Sequence, residues 1–599
     1  MCTAPLVPPW CRGGTSAWPD PACARTVCPF PSCRPWHARG GLTCAEFPAR
    51  RASLREILLL LAPSNGSRVS SPHFETDKEP CIPVLFPDGH QEELGWRDVL
   101  LRAHLIQDLA LPVPPAASAV LRLLVVMAAR VSGLDARGQR RMTARQWAAR
   151  RRELLAHPAG FDPDAVHAYF DAHIWDLFHP ARPFLQDPRL ASQCPQRAGV
   201  NKLVFGRPEG NNLSWLSPHS DSDPQPVPSA QALWHMLVHH YYGAAGQWSV
   251  RTVGGRSLNR AKAGPLRSSL SFHPLGRTLY ETLLAGMPKP DPSWPDAVDH
   301  CPWEEPLPHP DLDDDGDPVE GPDPDAAPPP VSSPGRLLTG RSRHSVLLIP
   351  APDGRQVIDA YLTWATQKKL PALDPYLIHH VHADEPVTRR HRPRRADADR
   401  ALWRDLDALL LAGDEDDRKG TQAKSGKGRY TVQRPDAFTT LNDLPPDLRA
   451  ALRVRVYGFD QDGKTTNRTW YTALTPPIWP WTQECDPAAA ERIAECRKAA
   501  EEIGTHLDRL SQDAWKQTTN SGSPRHLPPW TRSARTLYWP RAEATFWNLL
   551  NEPARSARAA FAADAIHALR TATRPAIAQH FRAAEAVATA LAQLRQRSR

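Results

Sequence analysis

After Pro480 the chain changes character. Residues 486–516, 541–551 and 555–597 are rich in Ala, Arg, Glu and Leu, with apolar residues at helical spacing. FAADAIHALRTATRPAIAQHFRAAEAVATALAQLRQ is the clearest run. An apolar stripe on each helix has to be buried, and segments this near in sequence bury it most simply against one another. The pattern predicts a helical bundle over 481–599 that packs as its own unit. Pro575 should bend or divide its longest run, because the ring removes an N–H and clashes with the preceding turn.

The rest of the chain mixes strand and helix patterns. At 599 residues it is too long for one ordinary core, so two or more folded units are expected. Globular patterning begins near Phe74, where FETDKEPCIPVLFPDG reads as a strand, a turn at Pro87–Gly89 and another strand. LGWRDVLLRAHLIQDL and PAASAVLRLLVVMAARVSGL carry helical periodicity. DPDAVHAYFDAHIWDLF reads as a helix with Asp162 as N-cap and Pro163 in its first turn. SAQALWHMLVHHYYG reads as one capped by Ser229 and ended by Gly243. RSRHSVLLIP and RQVIDAYLTW, separated by APDG, form a hairpin pattern. Residues 288–335 are dominated by Pro and Asp and should be a linker or a solvated insertion, and 414–430 a mobile charged loop. The fold class is α+β: a mixed α/β region over 73–480, then the helical unit.

Charge and cysteine usage narrow the class of partner and compartment. The net charge of +8 tilts toward a polyanionic partner. No run of about 18 apolar residues occurs, so no membrane span is expected. Six of the 11 cysteines (Cys2, Cys11, Cys23, Cys28, Cys33 and Cys44) crowd the start of the chain amid Pro, Trp, Arg and Gly. They lack a CxxC pair, which argues against a zinc module, and no apolar stretch there suits a secretory signal. Residues 1–72 are expected to be a disordered extension or sequence translated from upstream of the natural start. The remaining cysteines are scattered, which suits a reduced cytoplasmic protein.

The motifs that suggest catalysis lack their physical context. VYGFDQDGKTTNRTWY (456–471) sets Gly458, Gly463, Lys464 and Thr465 in the P-loop pattern, after the strand-like LRVRVY. A working P-loop opens a helix at its Lys-Thr, so that backbone N–H groups face the phosphates. Here TTNRTWYTALTPPIWPW follows, which favours an extended segment, and no later apolar run ends in an Asp for magnesium. The pattern reads as a hairpin tip. DLDDDGD (311–317) resembles a calcium loop, but Pro322 stands where a bidentate Glu is required. HHVHADE gathers His379, His380 and His382 beside Asp384 and Glu385 with nothing to orient them. Neither a catalytic residue nor a cofactor or metal site follows. A P-loop or metal-dependent nucleic-acid enzyme and a purely structural scaffold are the rival classes.

Two basic stretches point to nucleic acid. EPVTRRHRPRR presents Arg389, Arg390, Arg392, Arg394 and Arg395 between helix-breaking prolines. Such guanidiniums either track phosphates or form a solvated surface loop. VRTVGGRSLNRAKAGPLRSSL (250–270) interleaves Arg251, Arg256, Arg260, Lys262 and Arg267 with Gly254 and Gly255. Those glycines either permit close approach of a nucleic acid or make a structural turn.

Taken in order, several stretches resemble one family. EPCIPVLFPDG is similar to its E-P-W-I-P-V signature, with Cys81 in place of Trp, and IWDLFHPARPFLQ to its stretch from an aspartate to PF-[ML]-Q, here Asp176 and Pro183 to Gln186. NKLVFGRPEGNN, ALWHMLVHHYYG and HPLGRTLYETLL follow in the same order. The family is CasA, the large subunit of the type I-E CRISPR surveillance complex Cascade, and the resemblance spans roughly 73–599. It implies a mixed α/β N-terminal domain, a C-terminal four-helix bundle and a non-enzymatic role. It further implies reading of the protospacer-adjacent motif (PAM) in double-stranded DNA, help in opening that duplex, and recruitment of a separate helicase-nuclease. Other Cascade subunits and the guide-RNA 5′ handle are the implied partners.

The resemblance also implies site residues. Asn201, Phe205, Asn211 and Asn212 fall in the loop that meets the guide-RNA handle and a neighbouring subunit, with core packing of Phe205 the alternative. Ser220, Asp221 and Ser222 fall at the PAM loop, without the family's glycines. Arg355 matches the basic finger, and the arginines at 389–395 match cations that hold the non-target strand. The family's wedge hairpin falls on Gln461, Asp462, Gly463, Lys464 and Thr465. Lys464 and Thr465 stand where Gln-Ala is expected, so either Lys464 or Gln461 would enter the duplex.

Overall fold

The computed structural model describes residues 71–135, 142–157, 159–209, 216–289, 299–305, 323–325, 331, 333–368, 373–382, 384–411, 421–422, 429–462, 465–520, 527–552 and 554–597. The N-terminal cysteines, the acidic run 311–317, most of the Pro/Asp-rich segment and most of 414–430 lie outside them.

The strand–turn–strand pattern after Phe74 forms β1 (Ile82–Leu85) and β2 (Gln91–Leu94), and β3 (Asp108–Leu109) pairs on the other edge of β1. Gly89 turns the hairpin with φ of 86°. Of the helical pattern between β2 and β3, only Trp96–Leu101 is an α-helix, because the chain must straighten to lay β3 against β1. Helix α1 (Pro114–Ser132) is long and apolar enough to cross a membrane, yet 89% of its apolar window is buried inside the protein. It is the central core helix. Asp162 caps Pro163–Asp171 as its position suggests, accepting from the Asp164 N–H.

Strand β4 (Val227–Pro228) leads directly into helix α2 (Ser229–Tyr242). Ser229 does not cap this helix. It is the first helical residue, and its hydroxyl donates to the Gly354 carbonyl. Gly243 ends α2 without a left-handed turn, at φ of −53°. Glycine is required there because a Cβ would lie 2.5 Å from the His344 ring. Next come the hairpin β5 (Gly246–Val253) and β6 (Arg256–Ala261), turned by Gly254 and Gly255 at positive φ, and strand β7 (Leu270–Leu275). The APDG hairpin is β8 (His344–Pro350) with β9 (Gln356–Trp364), in a sheet ordered β4-β9-β8. Strands β10 (His379–Val381), β11 (His391–Pro393), β12 (Thr421–Gln422) and β13 (Arg429–Gln433) pair in the order β11-β10-β13-β12. Finally β14 (Arg453–Gln461) and β15 (Asn467–Leu474) form a long hairpin whose inner strand pairs with β7.

Four helices close the chain: α3 (Pro487–Thr519), α4 (Pro529–Asn551), α5 (Ala557–Gln579) and α6 (Phe581–Gln596). Consecutive helices pack on one another, and α3 also touches both α5 and α6. Pro575 does not divide α5, which runs on to Gln579, and the break falls at His580. One continuous set of buried apolar side chains reaches from Phe74 to Leu594.

A buried polar hub ties the layers together. Arg122 of α1 grips Asp374 with two bonds of 2.9 Å and donates to the Ser118 carbonyl. The Ser118 hydroxyl lies 3.1 Å from that of Ser271 on β7 and accepts from the Tyr242 hydroxyl. A buried pair of this kind costs about 3–5 kcal/mol when one partner is removed, since the other charge is left stranded.

Histidines on α2 and β8 are held neutral inside the same region. Burial pushes His235 and His344 down to about 4, and lowers His239 well below 6.5. An unfolded histidine takes its proton near pH 6.5, whereas folded His235 and His344 resist it until about pH 4, and His239 is lowered as well. Between those values the unfolded chain binds more protons, so this stability is complete above pH 6.5 and is lost as pH falls toward 4. The melting temperature should drop by about 5 °C between pH 7 and pH 5, and a calorimetric series should show a smaller drop in His344→Asn.

Candidate nucleic-acid interface

The P-loop pattern falls on the β14–β15 hairpin. Gly458 lies inside β14, paired with Tyr471, and a Cβ there would come 2.4 Å from the Tyr471 ring. It is a packing glycine. No helix follows Thr465: the chain enters β15 at Asn467, so helical N–H groups are not available to cradle phosphate. Gly463 and Lys464 lie outside the described residues.

The base of this tip is tightly bonded. The Asp462 N–H donates to the Thr466 carbonyl at 3.0 Å, and Asp462 Oδ1 accepts from the Thr466 N–H at 2.9 Å. Thr465 is exposed. Gln461 is only 4% exposed and does not reach the tip. Its Oε1 accepts from the Ser268 N–H, and its Nε2 donates to the Tyr242 carbonyl and to Asn467 Oδ1. The expectation that Gln461 could enter a duplex is corrected on that ground: withdrawing it would strand buried polar groups at about 1–3 kcal/mol each.

The structure joins residues expected at the guide-RNA handle to residues expected at the PAM. Asn201 is 2% exposed, and its Nδ2 donates to the Ser220 carbonyl at 2.9 Å and to Asp221 Oδ1 at 3.0 Å. It holds the Ser220–Asp221 segment in place. Ser220 and Ser222 bring their hydroxyls within 3.0 Å, and all three residues of that segment are exposed. Phe205 is partly buried among His239 (ring centroids 4.4 Å apart), His235 and Phe459 of β14. That favours core packing over stacking on a base. Asn211 and Asn212 lie outside the described residues.

Arg355 sits on the β8–β9 turn, exposed, with its carbonyl accepting from the Ser229 N–H at the start of α2. The arginines of TRRHRPRR divide. Arg389 and Arg395 are exposed and have no carboxylate partner among the described residues. Arg390 is partly buried, and Arg392 pairs with Glu385. Arg394 is pinned to Asp405, itself 1% exposed, at 2.8 Å and is corrected from strand contact to structural anchor. The 250–270 stretch divides likewise. Arg251 is fully buried between Asp187 and Trp364 and Arg256 pairs with Asp325, while Arg260 and Lys262 stay exposed. Among the described residues no group of three metal-ligating side chains forms, the HHVHADE segment included.

Sequence reasoning missed the role of Arg267. This residue is 6% exposed and spans the hairpin base, donating to the carbonyls of Asp462, Thr466 and Tyr242 and to Asn467 Oδ1. One signal was present: no charged residue follows it from Ser268 to Gly276, where β7 is buried on both faces.

A family model described as CRISPR-associated protein Cse1 matches residues 78–580. The chain belongs to the Cse1 family. A curated member, CasA/Cse1 of Thermus thermophilus, is 26% identical over 495 residues, covering 80% of this chain and 85% of the relative. Among solved structures, a chain of a CRISPR RNA-guided surveillance complex superimposes with a TM-score of 0.73 at 37% identity, covering 87% of this chain and 99% of that one. Thermobifida fusca Cse1 shares the fold with a TM-score of 0.66 at 19% identity, over 88% of this chain and 98% of that one.

The two faces of the hairpin base predict different costs. Gln461→Ala should lower unfolding free energy by about 1–3 kcal/mol, because buried partners lose their bonds. Thr465→Ala should stay within about 0.5 kcal/mol. Denaturant unfolding of the purified chain checks both.

Proposed function

We propose that this chain is the large subunit of an RNA-guided CRISPR surveillance complex, and that it reads a PAM in duplex DNA, helps open the duplex and recruits a separate helicase-nuclease. Its role is recognition and mechanical opening, not catalysis. The observation that carries this reading is the β14–β15 hairpin, which puts a polar turn on two long arms where a nucleotide-binding enzyme needs a helix. Family membership and the 37% identical chain of a surveillance complex support the assembly.

In this reading Ser220–Ser222 and Arg355 face the PAM. A short polar loop and one guanidinium suit the minor groove, whose acceptor pattern is degenerate and tolerates several sequences. Arg389 and Arg395 hold the backbone of the displaced non-target strand, since exposed unpaired guanidiniums cost no ion pair when they bind phosphate. The hairpin tip, with Lys464 and Thr465, pushes beneath the PAM. The loop 201–212, with Asn201, Phe205, Asn211 and Asn212, meets the guide-RNA handle and the neighbouring subunit. The four C-terminal helices form the four-helix bundle that supports the assembly.

Each assignment has a direct test in the reconstituted complex. Arg389→Glu with Arg395→Glu should weaken DNA binding and flatten its log–log salt dependence by about two, at roughly 0.9 per phosphate contact. An unchanged slope would leave only the scaffold role. Lys464→Ala should slow duplex opening while leaving PAM-duplex affinity near that of the parent. ATP turnover abolished by that same substitution would overturn the whole reading.

A further inference from the structure

A hairpin that pushes apart stacked bases has to be stiff at its root. Separating a base pair costs a few kcal/mol, and a compliant tip would bend aside before delivering that energy. Stiffness at the root of β14–β15 comes from a residue outside the hairpin. Arg267 precedes β7, and its guanidinium reaches both arms at once. Nε donates to the Asp462 carbonyl at 3.2 Å on one arm. Nη2 donates to the Thr466 carbonyl at 3.0 Å and Nη1 to Asn467 Oδ1 at 2.8 Å on the other. Nη1 also donates to the Tyr242 carbonyl at 3.1 Å, which fastens the hairpin to the end of α2. The Asp462 carboxylate lies 3.7 Å from the same guanidinium.

The neighbouring residues extend the lock. Ser268 holds a left-handed backbone at φ of 56°, a conformation that costs a non-glycine residue about 1–3 kcal/mol unless its surroundings enforce it. They do: its N–H donates to Gln461, its carbonyl accepts from the Ala396 N–H, and Ser269 bridges to Arg395. The clamp and the exposed Arg395 therefore share one short backbone segment.

We propose that Arg267 is a positioning residue for duplex opening, clamping both arms of the hairpin so that its tip transmits force to the DNA. This inference rests on the wedge reading of the tip. Arginine is required because its planar fork carries five donors in fixed directions. A lysine offers three donors from one point and cannot reach both arms and α2 together.

The test compares opening with binding in the reconstituted surveillance complex. Duplex opening beside the PAM is followed with a fluorescent base analogue, and affinity is measured on intact DNA and on DNA pre-opened by mismatches. Arg267→Lys should slow opening by about ten-fold, the equivalent of one or two lost charge-assisted bonds, and leave both affinities within about two-fold. R-loop formation on the pre-opened DNA should return to the parent rate, a rescue that a general folding defect would not show. Asn467→Ala, at an exposed strand end, removes the shared acceptor and should slow opening several-fold even where Arg267→Lys fails to assemble. Parent-like opening in both variants, or equal loss on pre-opened DNA, overturns the clamp. A Lys464→Ala, Thr465→Ala tip variant separates the two claims. If it slows opening and the clamp variants do not, the clamp alone fails. If neither slows it, the wedge reading fails with it.

Discussion

The bond network on which the site depends begins at Arg122, fully buried on α1. Its two bonds to Asp374 fix the segment that leads into β10, and Ser118 one turn earlier on α1 ties in β7 and Tyr242. Tyr242 is the relay. Its hydroxyl belongs to this hub, while its carbonyl accepts from both Arg267 and Gln461 at the hairpin base. Helix α1, the end of α2, strand β7 and the root of β14–β15 are thus joined by hydrogen bonds whose inner members, Arg122, Ser118, Tyr242, Arg267 and Gln461, are buried. In such surroundings each bond is electrostatically stronger than in solvent, and a missing partner is correspondingly costly.

That construction explains how charge is divided over the molecule. The chain has a modest positive excess, and many of its arginines are spent inside. Arg122, Arg251 and Arg267 are buried against carboxylates and carbonyls, and Arg394 is held by Asp405. Other arginines face outward, among them Arg355 on the β8–β9 turn and Arg389 and Arg395 around β11, which have no carboxylate partner among the described residues. In the proposed role, the unpaired guanidiniums of Arg355, Arg389 and Arg395 would register the chain against a duplex at set positions. A continuous basic face would bind DNA more tightly but with less discrimination of position.

Much of the scaffold was legible in the sequence because it depends on local chemistry. The PDG and APDG turns, the Asp162 cap and the helical spacing after Pro480 each act within a few residues. Errors appeared where a distant contact decides. Ser229 has the residue type of a cap, yet its hydroxyl serves Gly354, and Gly243 answers to the His344 ring as well as to the His239 carbonyl of its own helix. Pro575 stays within α5 although proline is a strong local breaker, so burial of that helix outweighs the preference.

The site was legible as a set of segments but not as a set of roles. TRRHRPRR offers five equivalent arginines to a reader of sequence, and the local folding that sets Glu385 against Arg392 and Asp405 against Arg394 distinguishes those two from Arg389 and Arg395. Gln461 shows the same limit more sharply. A polar residue beside a turn invites assignment to the solvent, but the bulge between Asp460 and Gln461 changes the register there, and the side chain is bonded inward. Its amide then completes the polar network that Arg267 begins. The hairpin root is therefore built from residues nearly two hundred positions apart in sequence, Arg267 and Asp462 among them. Spacing within GFDQDGKT carries no trace of that partnership, which arises only when β7 pairs with β14.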